Sequence, residues 1–313
     1  MLARRTCIAV AAALTAALFG ACASSDDGAG SRGAGDAPTA VATTTQVADF
    51  ARAVAGERAE IRQILRPNSD PHAYEPRPSD VKAVADAAVV LRSGGDLDDW
   101  LVDVVDNAGS DAATTTLIDA VRPRRGEDRV DPHWGHDPRN AITAVRRIRD
   151  VMTAADPAGR TVYRTNAAAA IAKLRTLDEA IAACMRSIPA HRRRLVTDHD
   201  ALGAYADRYA IEIVGTVIPA LSTQAQASAG EVARLVRTIR STGVRTIFPE
   251  GSASAKLARA VARDAGVKVG RALYADTLGP AGSPGATYIG SLRFNTRALA
   301  AGFGAGAAAA CQL

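Results

Sequence analysis

Aromatic residues are scarce in this 313-residue chain, where two tryptophans, six tyrosines and five phenylalanines make up 4%. Charge of one sign is scarce too: 38 Lys and Arg face 33 Asp and Glu, a formal +5. Nucleic-acid binding needs a basic face interleaved with aromatics, and both ingredients are missing, so that class is excluded. Long apolar runs are also lacking. Cys7 to Phe19 is apolar and uncharged but has 13 residues, short of the roughly 20 that span a bilayer, and no other run approaches that length. The small, weakly apolar stretch Ala300 to Ala310 reads as a helix packed on the body. Of only four cysteines, Cys184 and Cys311 have no C-x-x-C neighbour, which argues against a thiolate metal site. No His-Glu-x-x-His motif and no internal repeat is present.

What stands at the amino end has the form of an export signal. Arg4 and Arg5 precede the 13-residue apolar stretch, a length suited to a signal-peptide core. Leu18-Phe19-Gly20-Ala21-Cys22 then resembles a bacterial lipobox, with Phe19 where the pattern usually has Leu. The expectation is a signal peptide over 1–21, lipidation at Cys22, and attachment to the outer face of the cell membrane through that lipid. Loss of Arg4 and Arg5 leaves the mature chain at +3. Residues 22–38 are Ser, Gly, Asp and Ala without periodicity or bulky apolar groups, which suits a flexible tether. An oxidising compartment permits Cys184 and Cys311 to pair, although sequence does not give their distance.

The remainder is long enough for two lobes. Short apolar runs alternate with amphipathic helical patterns, the mark of an α/β protein with mostly parallel sheets flanked by helices. Strands are expected at Ala40–Thr44, Ala59–Leu65, Ala88–Arg92 and Thr115–Ile118. A second set is expected at Arg194–Thr197, Ile211–Val217, Thr246–Phe248 and Val267–Leu273. Helices include Leu97–Asn107 and one opened by the capping box Ser228/Glu231 and stopped by Gly243. Between the sets, Ile171, Leu174, Leu177, Ile181, Met185 and Ile188 recur at spacings of 3 or 4, broken only at Pro189. The expected organisation is an N-terminal lobe (39–158), one long rigid linking helix (159–189) and a C-terminal lobe (190–313).

Five histidines are present, and three of them fall where strands run out into loops. His72 follows the strand ending at Leu65, and His199 directly follows Leu195-Val-Thr-Asp198. His133 lies just before a helix that Asp137 caps with Pro138 in first position. Asp276 is likewise just past a strand. Ligands of open parallel sheets bind beyond the strands' carboxyl ends. Imidazole nitrogen and carboxylate oxygen suit Zn²⁺, Mn²⁺ and related divalent ions. His136 is an auxiliary candidate three residues after His133, with a solvent-facing loop position as the simpler reading. His191, among three arginines, is a surface residue. Asp131, Asp198 and Glu250 are candidates to accept the second ring N–H of a ligand histidine, and Tyr205 and Tyr209 mark one side of a helix.

The words around these residues carry a resemblance. Asn68-Ser-Asp-Pro-His72 with Glu75-Pro, Asp131-Pro-His133 with Asp137-Pro-Arg-Asn140, Val196-Thr-Asp-His199-Asp-Ala-Leu-Gly, and Leu273-Tyr-Ala-Asp276-Thr-Leu-Gly occur in order. Together with Thr287-Tyr-Ile-Gly and Asn295-Thr-Arg, they resemble the zinc/manganese-type (cluster A-I) substrate-binding proteins of ABC transporters. The resemblance runs from about residue 40 to 303. It implies a two-lobed receptor, not an enzyme, with His72, His133, His199 and Asp276 as metal ligands in the interlobe cleft and an ABC permease as partner. It departs from the family at Trp134, which adjoins the second histidine where the family commonly places tryptophan two positions on. The His-rich loop of many zinc receptors is absent, its interval Val121 to Val130 being short and arginine-rich.

Three histidines and one carboxylate favour zinc over the two-histidine, two-carboxylate set of manganese receptors, with manganese as the alternative cargo. The expected protein is a monomer that captures its ion, hands it to the permease, and binds less tightly as pH falls through the histidine range near ~6.5. Rival readings are a surface adhesin with a structural metal and a zinc hydrolase. The second lacks a convincing general base and an open coordination position.

Overall fold

The computed structural model describes residues 37–125, 130–251, 255–304, 311 and 313. The expected signal peptide, Cys22, nearly all of the tether, and residues 305–310 of the expected C-terminal helix lie outside the described residues. Among those described, eight strands and nine α-helices occur, and no helix is long and apolar enough to cross a membrane.

The first lobe is a parallel sheet of β1 (Thr39–Ala42), β2 (Glu60–Gln63), β3 (Val89–Arg92) and β4 (Ala113–Thr116), in the order β2-β1-β3-β4. Its two central strands are apolar over Ala40–Ala42 and Val89–Leu91, where both faces are covered. Period-two alternation sends Val41 and Val90 to one face, against α2 (Pro78–Ala85) and α3 (Leu101–Ala108). Ala40, Ala42, Val89 and Leu91 face the other way, in the core that includes α1 (Thr45–Ala55) and α4 (Pro138–Ala155).

The linking helix α5 spans Arg160–Arg186, about 40 Å at ~1.5 Å per residue. Its buried stripe is Tyr163, Ala167, Ile171, Leu174, Leu177, Ile181 and Met185. It packs on α1 and α4 and then on α6 (Gly203–Tyr209) and α9 (Tyr288–Gly302). One apolar core therefore runs without interruption from Ala40 to Leu299, and α5 works as a rigid strut within it. Cys184 in its last turn is disulfide-bonded to Cys311, with Cα atoms 4.7 Å apart.

In the second lobe β5 (Arg194–Thr197) pairs with β6 (Glu212–Thr216), and β7 (Thr246–Ile247) with β8 (Lys268–Val269), all parallel. A parallel bridge from Thr197 to Phe248 joins the pairs into the order β6-β5-β7-β8. Val196 and Ile247 pack against α7 (Ala229–Thr242) and α8 (Lys256–Ala265), while Leu195 and Phe248 join the continuous core. The Ser228/Glu231 capping box and the left-handed Gly243 bound α7 as expected.

Three elements differ from expectation. The Leu97–Asn107 helix begins only at Leu101, because Gly94 and Gly95 adopt positive φ and the buried Asp98 accepts the Ser93 and Gly94 amides. Pairing of β4 starts at Ala113, earlier than Thr115. The last strand is paired only at Lys268–Val269 before a separate bridge joins Leu273 to Glu250. Gly270 lies between them, so close to the Phe248 ring that no Cβ fits there, and the strand bends past it.

Candidate metal centre

His72, His199 and Asp276 lie beyond strands or their extensions, and His133 lies in the loop that leads into α4. After β2, Asp70 caps a short 3-10 turn (Pro71–Ala73) and accepts the His72 amide at 2.9 Å. A second 3-10 turn, Trp134–His136, follows His133, and Asp137 caps α4 immediately after it. Trp134 is buried beside Phe50 and donates its indole N–H to the Ser93 carbonyl, so its shifted place still serves the core. His199 leaves β5, its carbonyl held by the Thr197 hydroxyl at 2.8 Å. Asp276 follows the Glu250–Leu273 bridge.

These four side chains converge. One ligating atom from each of His72, His133, His199 and Asp276 lies within 4.8 Å of all the others. The three imidazole centroids stand 5.2–5.7 Å apart. Asp276 Oδ1 is 3.3 Å from His133 Nε2 and 3.4 Å from His199 Nε2. The Nε2 atoms of all three histidines and both Asp276 carboxylate oxygens are buried without a hydrogen-bond partner. Buried polar groups are ordinarily satisfied, so such a cluster is costly unless something cationic binds it.

The opposite ring nitrogens of His133 and His199 face carboxylates. His133 Nδ1 lies 2.8 Å from Asp131 Oδ1, which also accepts the His133 amide. His199 Nδ1 lies 2.7 Å from Glu250 Oε2, and Glu250 Oε1 accepts the His199 amide at 3.2 Å. A proton directed from His133 Nδ1 to Asp131 leaves the Nε2 lone pair of that ring free toward the cluster. Asp198 does not share this role: its Oδ2 accepts the Glu250 amide, one step removed from the ring. Burial raises its pKa to about 6.

The electrostatics are those of a cation site. Burial opposes the charged form of His133, but the hydrogen bond to Asp131 and the Asp276 carboxylate 3.3 Å away outweigh it and lift the pKa to about 9. Burial is likewise overcome at His199, by the charge of Glu250 and by Asp276, and its pKa rises to about 11. Asp276 stays well below the usual carboxylate range despite its burial, because the imidazoles of His133 and His199 stand 3.3 and 3.4 Å from it and favour its charged form. His72, with no such partner, is lowered by burial. The titration window expected near ~6.5 is therefore split, with two of the three imidazoles moved upward by anionic neighbours.

His136 corrects an expectation. It is buried rather than solvent-facing and stands outside the four-donor cluster; Nε2 donates to the Ala275 carbonyl at 3.1 Å. His191 is exposed as expected, and Tyr205 and Tyr209 stack edge-on, both buried, on α6. Sequence reasoning did not identify Gln46 or Thr45. Gln46 bonds the carbonyls of Ala275 and Asp276, and Thr45 accepts the Leu278 amide. Contacts across 229 to 233 positions leave no local signal.

Residues 40–302 match the family described as zinc-uptake complex component A, periplasmic (ZnuA), and the chain belongs to that family. Its members are metal-binding receptors, not enzymes. The chain is 30% identical over 302 residues to the manganese-binding lipoprotein MntA of Halalkalibacterium halodurans, covering 96% of this chain and 99% of that one. It is 29% identical over 270 residues to the iron-binding protein YfeA of Yersinia pestis, covering 84% and 86% respectively. The fold is that of the periplasmic zinc binding protein TroA of Treponema pallidum, with TM-score 0.82, 24% identity, and coverage of 86% and 99%.

Proposed function

We propose that the protein captures Zn²⁺ between its lobes through His72, His133, His199 and Asp276 and delivers it to an ABC permease. Export with lipidation at Cys22 keeps the receptor near that permease, and it acts as a monomer. The observation that carries this reading is the convergence of three unpartnered Nε2 atoms and one unpartnered carboxylate. Four donors about 2.0–2.1 Å from a zinc ion define a tetrahedron with edges of about 3.3–3.4 Å. The two nitrogen–oxygen separations at Asp276 fall on that length.

The relatives' names divide among manganese, iron and zinc, so the donor set has to decide the cargo. Three imidazoles and one carboxylate are a zinc-like set, whereas Mn²⁺ favours more oxygen. Manganese is the second reading, favoured by the name of the 30% identical relative. Titration of chelator-stripped protein with each metal in competition decides between them. One zinc bound per chain, at least a hundredfold tighter than manganese, is the expected result. Equal or tighter manganese binding under the same competition overturns the zinc assignment.

A further inference from the structure

The carboxylate of Asp276 belongs to the second lobe, but its loop is fastened to the first. Gln46 opens α1, and its Nε2 donates to the Ala275 carbonyl at 3.2 Å and the Asp276 carbonyl at 2.9 Å. His136 Nε2 donates to the same Ala275 carbonyl at 3.1 Å. Because a carbonyl only accepts, that nitrogen carries the ring proton, and the carbonyl uses both lone pairs on first-lobe side chains. Gln46 is itself steadied, its Oε1 accepting from the Thr45 hydroxyl at 2.8 Å. On either side, Leu278 N–H donates to Thr45 Oγ1 at 2.8 Å, and Asn68 N–H donates to Thr277 Oγ1 at 3.1 Å.

Packing beneath this loop is incomplete. A cavity of about 30 Å³ lies among Gln46, His136, Ala275, Asp276 and Tyr288, room for about one water. Leu278 packs into the continuous core, and hydrogen bonds from the first lobe hold the main chain on both sides of the carboxylate.

We infer that Gln46 and His136 form a cross-lobe latch that positions Asp276 and sets how long the receptor retains its metal. Both are positioning residues, not ligands, and the inference rests on the ligand reading given above. For Asp276 to withdraw from the histidines, its loop must leave Gln46 and His136 together. That breaks three hydrogen bonds to the Ala275 and Asp276 carbonyls, a cost the bound state does not carry. The latch slows release without standing in the way of an arriving ion. A transporter that pries this loop from α1 and the 134–136 turn would discharge the receptor.

The test is rapid-mixing release of Zn²⁺ from the loaded mature protein into excess chromogenic chelator. Gln46→Leu, which removes two donated bonds, is expected to speed release about tenfold, and His136→Phe about three- to tenfold. The double variant should fall short of the product, because the two donors share the Ala275 acceptor. His136→Gln, which keeps a donor, should release within about threefold of the unaltered protein. Association rates and the metal-free unfolding midpoint should stay unchanged. His199→Ala serves as the reference: if it still holds zinc tightly, the ligand reading fails first. If His199→Ala loses zinc while Gln46→Leu and His136→Phe release at the parent rate, the latch alone is overturned. Slower association, or a lowered metal-free midpoint in proportion to the release rate, also overturns it, in favour of a purely structural role.

Discussion

The two lobes build their halves of the metal centre in different ways. In the first lobe each histidine is set by an aspartate two positions before it: Asp70 holds the His72 amide, and Asp131 holds both the amide and the ring of His133. In the second, His199 is oriented by Glu250, 51 positions away, and the Asp276 loop by Gln46, 230 positions away. One half is preformed by turns that any local segment can adopt. The other exists only once the sheet order β6-β5-β7-β8 has formed and the lobes have met along α5. The half-site supplying the charge is thus the conditional one, a fitting arrangement for a receptor that must let go.

Removing a donor should have the largest effect. Asp276→Ala leaves the imidazoles without their anion, and zinc affinity is expected to fall on the order of 10³-fold, read by competition with a chelator of known strength. A variant that kept full affinity would break the four-donor assignment outright. Removing ring partners should come next. Asp131→Asn and Glu250→Gln are each expected to cost about 10–100-fold in affinity. Asp70→Ala, which removes the bonds from the His72 amide and the Thr223 hydroxyl but none to a ligand ring, should cost less than about tenfold. An equal loss in all three would mean that the local and long-range halves are not distinguished as described.

Protons give a further contrast. His133 and His199, with pKa values of about 9 and about 11, hold protons at neutral pH that a metal must displace. Zinc binding at pH 7 should therefore release protons, measurable by calorimetry in buffers of different ionisation enthalpy. Affinity should keep rising from pH 6.5 to about 9 rather than level off above the ordinary histidine value. His72, lowered by burial, contributes no proton there. The smallest effect on metal should come from the disulfide. Cys184→Ala is expected to lower unfolding stability by about 2–4 kcal/mol by reopening a long loop, with zinc affinity unaltered.

The same division explains what could be read in advance. The neighbourhood of each of the eight strands was legible, though β4 pairs two residues earlier and β8 over a shorter span than its apolar run; α5 was legible as a stripe of spacing 3 or 4, and α7 from its capping box. His72 and His199 stood out as loop residues beyond strands and His133 as one before a capped helix, and the resemblance of the words around them marked them as ligands. Asp131 was recognisable as a partner by proximity. Glu250 and Asp198 were not separable, since which one reaches the His199 ring depends on the parallel placement of β7 beside β5. Gln46 carried no signal, being one polar residue in the first turn of an amphipathic helix. His136 misled because burial against Ala275 is a property of the assembled lobes, not of its own turn.

X-ray absorption at the zinc edge of the loaded mature protein, compared with its His72→Ala and His199→Ala variants, tests the central claim most directly. The account requires three imidazole nitrogens and one carboxylate oxygen at about 2.0–2.1 Å, with one imidazole lost in each variant. A shell containing sulfur, or one unchanged when a histidine from either lobe is removed, would contradict it.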